Sequence, residues 1–169
     1  MEISKTTLDK VLLIKPDVFE DFRGTYVETY NEKAYSKAGI DVKFVQDDVS
    51  MSTKNVLRGL HGDSTTWKLI SCPYGKIYVA VVNCDKDSNQ YHKWECFTLS
   101  DRNKWQVLVP PKSANGHLVL SDLALFQYKQ STYYEQQKQF TIRWDDPELG
   151  IWWPVKNPIL SQRDDKKAE

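Results

Sequence analysis

Cysteine, histidine and arginine are scarce in this chain, and each scarcity removes a class of protein. Three cysteines, Cys72, Cys84 and Cys96, are an odd number and form no C-x-x-C pair. Neither a disulfide framework nor a zinc knuckle is therefore predicted, and a cytoplasmic, reducing setting fits. The three histidines, His61, His92 and His117, are never two or four residues apart. A β-barrel metal site needs two or three such ligands with a carboxylate, so no metal is predicted. Long apolar runs are missing as well: the N-terminal Val11–Ile14 run is too short for a signal-peptide core, and no later run approaches a membrane span. Charge of one sign is not in excess, because 23 Lys and Arg balance 23 Asp and Glu. That argues against a broadly basic nucleic-acid footprint while leaving room for a local anion pocket. No glycine-rich loop opens a helix and no G-x-S-x-G elbow occurs, so the phosphate-loop, dinucleotide-fold and hydrolase signatures are absent.

The composition that remains is that of a folded globule: 40% hydrophobic residues, six Trp and nine Tyr in 169 residues. This length suits one domain, 1–169, with a charged tail fraying from about residue 165. Short strands are predicted at Val11–Ile14, Lys76–Val82, Trp94–Leu99, Trp105–Val109, His117–Leu120 and Leu123–Tyr128, with Ile77, Val79 and Val81 on one face. Turn signals separate them, among them Tyr74-Gly75, Pro110-Pro111 and Ser121-Asp122. Such a pattern favours an antiparallel sandwich or barrel. Helix is predicted only over Glu32–Ala38, capped by Asn31 and followed by Gly39, and as one turn at Asp145–Glu148.

Against 18 lysines there are only five arginines, and two of them precede glycine: Arg23-Gly24 and Arg58-Gly59. A glycine lets the backbone bend and turn a guanidinium toward an anion, although surface arginines beside turns satisfy the same pattern. His61, in the stretch Asn55-Val56-Leu57-Arg58-Gly59-Leu60-His61, reads equally as a buried hydrogen-bonded ring or as a base. Strict alternation sends Arg58 and His61 to opposite faces, so one pocket receives both only if Gly59 makes a bulge or bend. Lys68 enters an apparent strand, where an outward snorkelling side chain is the simple reading. The run from Tyr128 to Tyr134 holds three phenols, which packing explains as well as chemistry does.

Six blocks in order carry a resemblance: FEDFRGTYVETY (19–30), FVQDDVSMSTKNVLRGLH (44–61), KLISCPYGKIYVAVV (68–82), YKQSTYY (128–134), RWDDPELGIWWP (143–154) and LSQRD (160–164). Together they resemble the dTDP-4-dehydrorhamnose 3,5-epimerase family, non-metal sugar-nucleotide epimerases on a cupin-like jelly roll. The resemblance covers roughly residues 10 to 165. It implies an all-β cupin-like double-stranded β-helix with few short helices. It implies His61 as the base, Asp164 as the aspartate that orients it, Tyr128 as the acid on the opposite face, and Lys68 near the enolate oxygen. Arg23 and Arg58 match diphosphate-binding arginines, with Glu28 and Gln46 in the nucleotide region and Asn115, His117 and Tyr134 among substrate-binding residues. No cofactor is implied, since a ketone at C4 of the sugar itself acidifies C3 and C5. A homodimer is implied, with an N-terminal segment that often crosses to the partner.

Departures from the family pattern are concentrated in the sugar pocket. The usual R-G-L-H-x-Q reads here with Gly62-Asp63, and Q-D-N reads Gln46-Asp47-Asp48. A-H-G-F appears as Ala114-Asn115-Gly116-His117, and the aspartate of G-x-x-x-D-V aligns with Val79. These changes leave the reaction class and alter the fit to the sugar. The expected substrate is a dTDP-4-keto-6-deoxyhexose or a GDP-4-keto-heptose, epimerised at C3, C5 or both for a surface polysaccharide. A non-catalytic sugar-nucleotide binder and a 3,4-ketoisomerase on a similar roll are the alternatives.

Overall fold

The protein is described by a computed structural model over residues 1–165; the tail predicted to fray lies outside the described residues. The elements, in chain order, begin with β1 (Glu2–Lys5), β2 (Leu12–Lys15), β3 (Val18–Asp21), β4 (Gly24–Val27) and α1 (Glu32–Lys37). There follow β5 (Gln46–Thr53), β6 (Leu57–Asp63), β7 (Lys68–Tyr74), β8 (Lys76–Asn83) and β9 (Trp94–Ser100). The chain closes with β10 (Gln106–Val109), β11 (Ser113–Val119), β12 (Leu123–Gln130), a 3-10 turn (Gln136–Lys138) and β13 (Phe140–Thr141). A six-stranded sheet in the order β1-β2-β10-β7-β12-β5 packs on a five-stranded sheet in the order β13-β6-β11-β8-β9, and β3 and β4 form a separate hairpin. All these pairings are antiparallel, as a jelly roll requires.

Alternation explains the layers. In β8, Ile77, Val79 and Val81 join Ile70, Cys72, Val107, Val109 and Phe126 in the core between the sheets. Ala80 and Val82 point the other way, into a second core closed by Leu149 and Trp153 of the C-terminal segment. Across the molecule, Ile14, Leu69 and Leu108 on the outer face of the six-stranded sheet are covered by Tyr35 and Ile40. Burial on both faces makes Lys76–Val82 almost wholly apolar rather than alternating. Helix α1 forms where it was predicted: Asn31 accepts a hydrogen bond from Ala34 N at 3.2 Å, and Gly39 follows with φ +88°. The turn expected as helical at Asp145–Glu148 forms one residue on as a single α-turn that does not continue into a helix. There the Asp146 carboxylate accepts from Glu148 N at 2.9 Å, and Asp146 O accepts from Gly150 N at 3.0 Å.

One irregularity matters most. Along β6 and β11, Asn115 pairs with His61 and His117 with Arg58, so three steps on β6 match two on β11. The extra residue is a β-bulge at Gly59, whose φ is +116°. A Cβ there would sit 2.6 Å from Gly116 Cα and 2.8 Å from Asn115 O, which only glycine avoids. The bulge lets Leu57 and Leu60 both reach the outer core, while Arg58 and His61 both line the cavity between the sheets.

Candidate active site

The cavity, of about 510 Å³, is lined from β5, β7 and β12 on one side and from β6, β11 and the C-terminal segment on the other. On one wall His61 Nε2 lies 2.7 Å from Asp164 Oδ1. Asp164 is fixed in turn: Ser161 Oγ donates to its Oδ2 at 2.9 Å, and Gly59 N donates to the same oxygen at 3.4 Å. The strand bulge and the C-terminal turn are thus tied to one carboxylate. Burial alone would raise the Asp164 pKa, but the bonds from His61, Ser161 and Gly59 and the charge of His61 together hold it below the usual carboxylate range. An ionised Asp164 acts only as an acceptor, so the proton of neutral His61 sits on Nε2 and the lone pair on Nδ1. That is the form of a general base.

The facing wall comes from β5 and β12, where Gln46, Asp48 and Ser50 pair across from Gln130, Tyr128 and Phe126. Asp48 accepts from Gln46 Nε2 at 3.1 Å and from Gln130 Nε2 at 2.7 Å, and Gln46 Oε1 accepts from Tyr134 N at 2.9 Å. Burial, reinforced by the charge of Asp48 and by Tyr134, pushes the Tyr128 phenol up to about 12. Tyr128 therefore holds its proton at neutral pH, as an acid must.

Lys68 faces inward from β7 and is only 8% exposed, which overturns the outward, snorkelling reading. Its Nζ donates to Asn115 Oδ1 at 3.4 Å. Burial lowers its pKa; Asp63 works in the opposite direction and Arg163 in the same one. Asp63 is itself locked by Thr65 N at 2.8 Å, Thr66 N at 2.7 Å and Gln139 Nε2 at 3.0 Å. Arg58 Nε donates to Ser52 Oγ at 3.1 Å, and its guanidinium lines the cavity. His117 stacks on Phe126, with centroids 3.9 Å apart and planes 6° apart. Burial, with Arg58 and His61 adding to it, pushes the His117 pKa down to about 3, so its imidazole is neutral.

Nine of the residues singled out in the sequence meet at this cavity: Gln46, Arg58, His61, Lys68, Asn115, His117, Tyr128, Tyr134 and Asp164. Arg23 and Glu28 do not. Arg23 sits at the tip of the β3–β4 hairpin, paired with Asp21 at 2.5 Å, and Glu28 is exposed just beyond β4. Among the described residues the hairpin pairs only with itself, and none of its residues lines the cavity. Val79, expected to alter the sugar pocket, lies instead in the core between the sheets. Sequence reasoning missed Ser50, Gln130, Gln139, Ser161 and Arg163, all of which line the cavity. Four of the five, Ser50, Gln130, Ser161 and Arg163, fall within the stretches that carry the resemblance, and Ser50 continues the every-second-residue polar pattern of Gln46 and Asp48 in β5; Gln139 lies outside them and carried no signal. Among the described residues, no group of three His, Cys, Asp or Glu side chains is placed to hold a metal, and no helix is long and apolar enough to cross a membrane.

Comparison with known proteins adds an independent line. The family model described as dTDP-4-dehydrorhamnose 3,5-epimerase matches residues 5–169. A dTDP-4-dehydrorhamnose 3,5-epimerase of Shigella flexneri is 41% identical over 168 residues, 97% of this chain and 93% of that relative. A crystal structure of dTDP-6-deoxy-D-glucose-3,5-epimerase from Legionella pneumophila, in complex with dTDP-4-keto-L-rhamnose, superposes with a TM-score of 0.92 at 37% identity, covering 96% of this chain and 89% of that one. A 3'-monoepimerase from Streptomyces bikiniensis, in complex with dTDP-quinovose, superposes with a TM-score of 0.89 at 26% identity, covering 94% and 83%.

Proposed function

The chain belongs to the dTDP-4-dehydrorhamnose 3,5-epimerase family and is an isomerase that epimerises a nucleoside-diphosphate-linked 4-keto sugar; we propose that His61 and Tyr128 carry the proton transfers and that inversion at C3 dominates. The observation that carries this reading is the His61–Asp164 contact at 2.7 Å in a cavity that also holds a buried cation and a protonated phenol. The C4 ketone acidifies the hydrogens on C3 and C5. His61 Nδ1 takes one of them, and the imidazolium so formed is stabilised by Asp164. The electron pair moves onto the ketone oxygen, where the Lys68 ammonium offsets the charge. Tyr128 O–H then returns a proton to the opposite face, and solvent restores both groups. Solvent hydrogen therefore enters the product at each inverted carbon.

Arg58 is assigned to the diphosphate, with Gln46 and Tyr134 along the nucleotide. No organic cofactor enters the scheme, because the ketone supplies the acidity. Residues 1–169 are read as one epimerase domain, acting in the cytoplasm on the way to a surface polysaccharide. The protein is read as a homodimer. Phe22 is 99% exposed, Val49 59% and Met51 64%, on a free hairpin and an edge strand that a second copy would cover. In that arrangement Arg23 and Glu28 serve the partner's cavity.

The C3 preference rests on Asn115, which stands where the family pattern has a histidine and supports Lys68 without transferring protons itself; Val79, buried in the core, has no part in it. Product NMR in deuterated water, with a panel of dTDP- and GDP-linked 4-keto sugars, tests it. Label and inversion at C3 are expected to precede those at C5. Equal rates at both carbons would make the protein a full 3,5-epimerase. Binding of the panel without any exchange would instead mark a non-catalytic binder, and a moved ketone would mark a ketoisomerase.

A further inference from the structure

Among the described residues, two buried side-chain polar atoms have no hydrogen-bond partner: Ser50 Oγ and His117 Nε2. An unpaired buried polar atom costs about 1–3 kcal/mol, and native structures hold few of them. Both residues line the active-site cavity, and both are anchored on Phe126. Ser50 is the cross-strand partner of Phe126 on β5, and the His117 ring lies flat against the Phe126 ring. Stacking fixes the imidazole plane. Its nitrogens hydrogen-bond within that plane, so the phenyl face cannot satisfy them. His117 is only 3% exposed and pairs in register with Arg58, which places the imidazole on the wall where that cation lines the cavity.

Resting on the epimerase reading above, we propose that Ser50 and His117 form a subsite that recognises a hydroxyl of the substrate's sugar and so helps to select which 4-keto sugar is epimerised. The chemistry of the pair points to an uncharged group. His117 is neutral and offers no charge to a phosphate, and Arg58 already supplies a cation beside it. A hydroxyl both donates and accepts, so a single one satisfies a serine and a neutral imidazole together. A site that desolvates polar atoms discriminates against an analogue lacking the matching hydroxyl, because the protein atoms are then left unpaired.

The test uses pairs of nucleoside-diphosphate 4-keto sugars that differ by one hydroxyl replaced with hydrogen. The full-length protein is assayed by solvent-deuterium incorporation. For one pair, the hydroxylated member is expected to be favoured in kcat/KM by about ten- to a hundredfold, the range of a lost buried hydrogen bond. His117→Phe and Ser50→Ala should each pull that ratio toward one, whereas His117→Gln, a neutral donor and acceptor, should keep more of it. A purely structural defect would lower both members alike and leave the ratio standing. Ser50→Ala, the smaller change, decides the matter if His117→Phe does not fold. Ratios unchanged in the variants would overturn the proposal and assign the two atoms to a trapped water. Weaker binding of GDP alone but not of dGDP in the variants would move the recognised hydroxyl to the ribose and overturn the sugar assignment. A wild-type protein that exchanges no deuterium into any sugar of the panel overturns the epimerase reading, and this proposal with it.

Discussion

His61 and Asp164 are 103 residues apart in the chain and 2.7 Å apart in the fold, so the pair we propose as the base is assembled only when the C-terminal turn closes on β6. Lys68 shows the cost of such a site. Its charged form is disfavoured in the fold by burial. That cost is therefore fully present below the lowered pKa and is relieved as pH rises toward the free lysine value of about 10.5. Lys68→Met removes the charge while keeping much of the volume. At pH 7 it should stabilise the protein by about 1 kcal/mol, raising Tm by about 2–4 °C, and the gain should shrink toward pH 10. Turnover should fall at the same time, because the enolate loses its cation. Thermal melts across pH, with rate measurements, check this. A less stable variant would mean that Asp63 and Asn115 more than offset the desolvation of Lys68.

At the scale of elements the bulge in β6 is decisive, and it was legible. Arg58 and His61 serve one cavity only if Gly59 breaks the alternation, and the register against β11 does so. Gly59→Ala should cost more than about 2 kcal/mol, since it forces a side chain into φ +116° and against Gly116. It should also cut turnover by displacing His61 from Asp164. Denaturant titration and rate assays check both; wild-type stability and rate would show that the bulge tolerates a side chain. The strands around the core were legible because short apolar runs such as Lys76–Val82, with Ile77, Val79 and Val81 on one face, are bounded by turn signals. β5 was not, because its pattern is inverted: Gln46, Asp48 and Ser50 line the cavity, while the apolar Val49 and Met51 are left exposed. The start of β11 was hidden similarly, since Ser113-Ala114-Asn115-Gly116 follows Pro110-Pro111 and reads as loop, yet every residue of it is buried. Function reverses the binary pattern at these positions, and sequence periodicity then misleads.

For the molecule as a whole, the free hairpin is the unsolved element of the monomer. It carries Arg23 and Glu28 away from their own cavity and leaves Phe19, Phe22 and Tyr26 exposed. If the hairpin completes the partner's site, a mixed dimer of Arg23→Ala and His61→Asn subunits contains one intact cavity, made of His61 from one chain and Arg23 from the other. Two inactive homodimers should then regain activity on reassortment, to about a quarter of wild type for random pairing in a two-fold dimer. Mixing, exchange and assay check this. No recovery would mean that Arg23 acts within its own chain or not at all.

The central claim is that one face of the sugar loses its proton to His61 and the other gains one from Tyr128. NMR of the product formed in deuterated water separates these roles in a single measurement on three proteins. The wild type should give inverted, deuterated product. Tyr128→Phe should exchange deuterium with little inversion, because His61 can return a deuteron only to the face it deprotonated. His61→Asn should lose exchange and inversion together, by about a hundredfold or more, as loss of a positioned base does. Inversion with solvent label at near-normal rate in either variant would contradict the account.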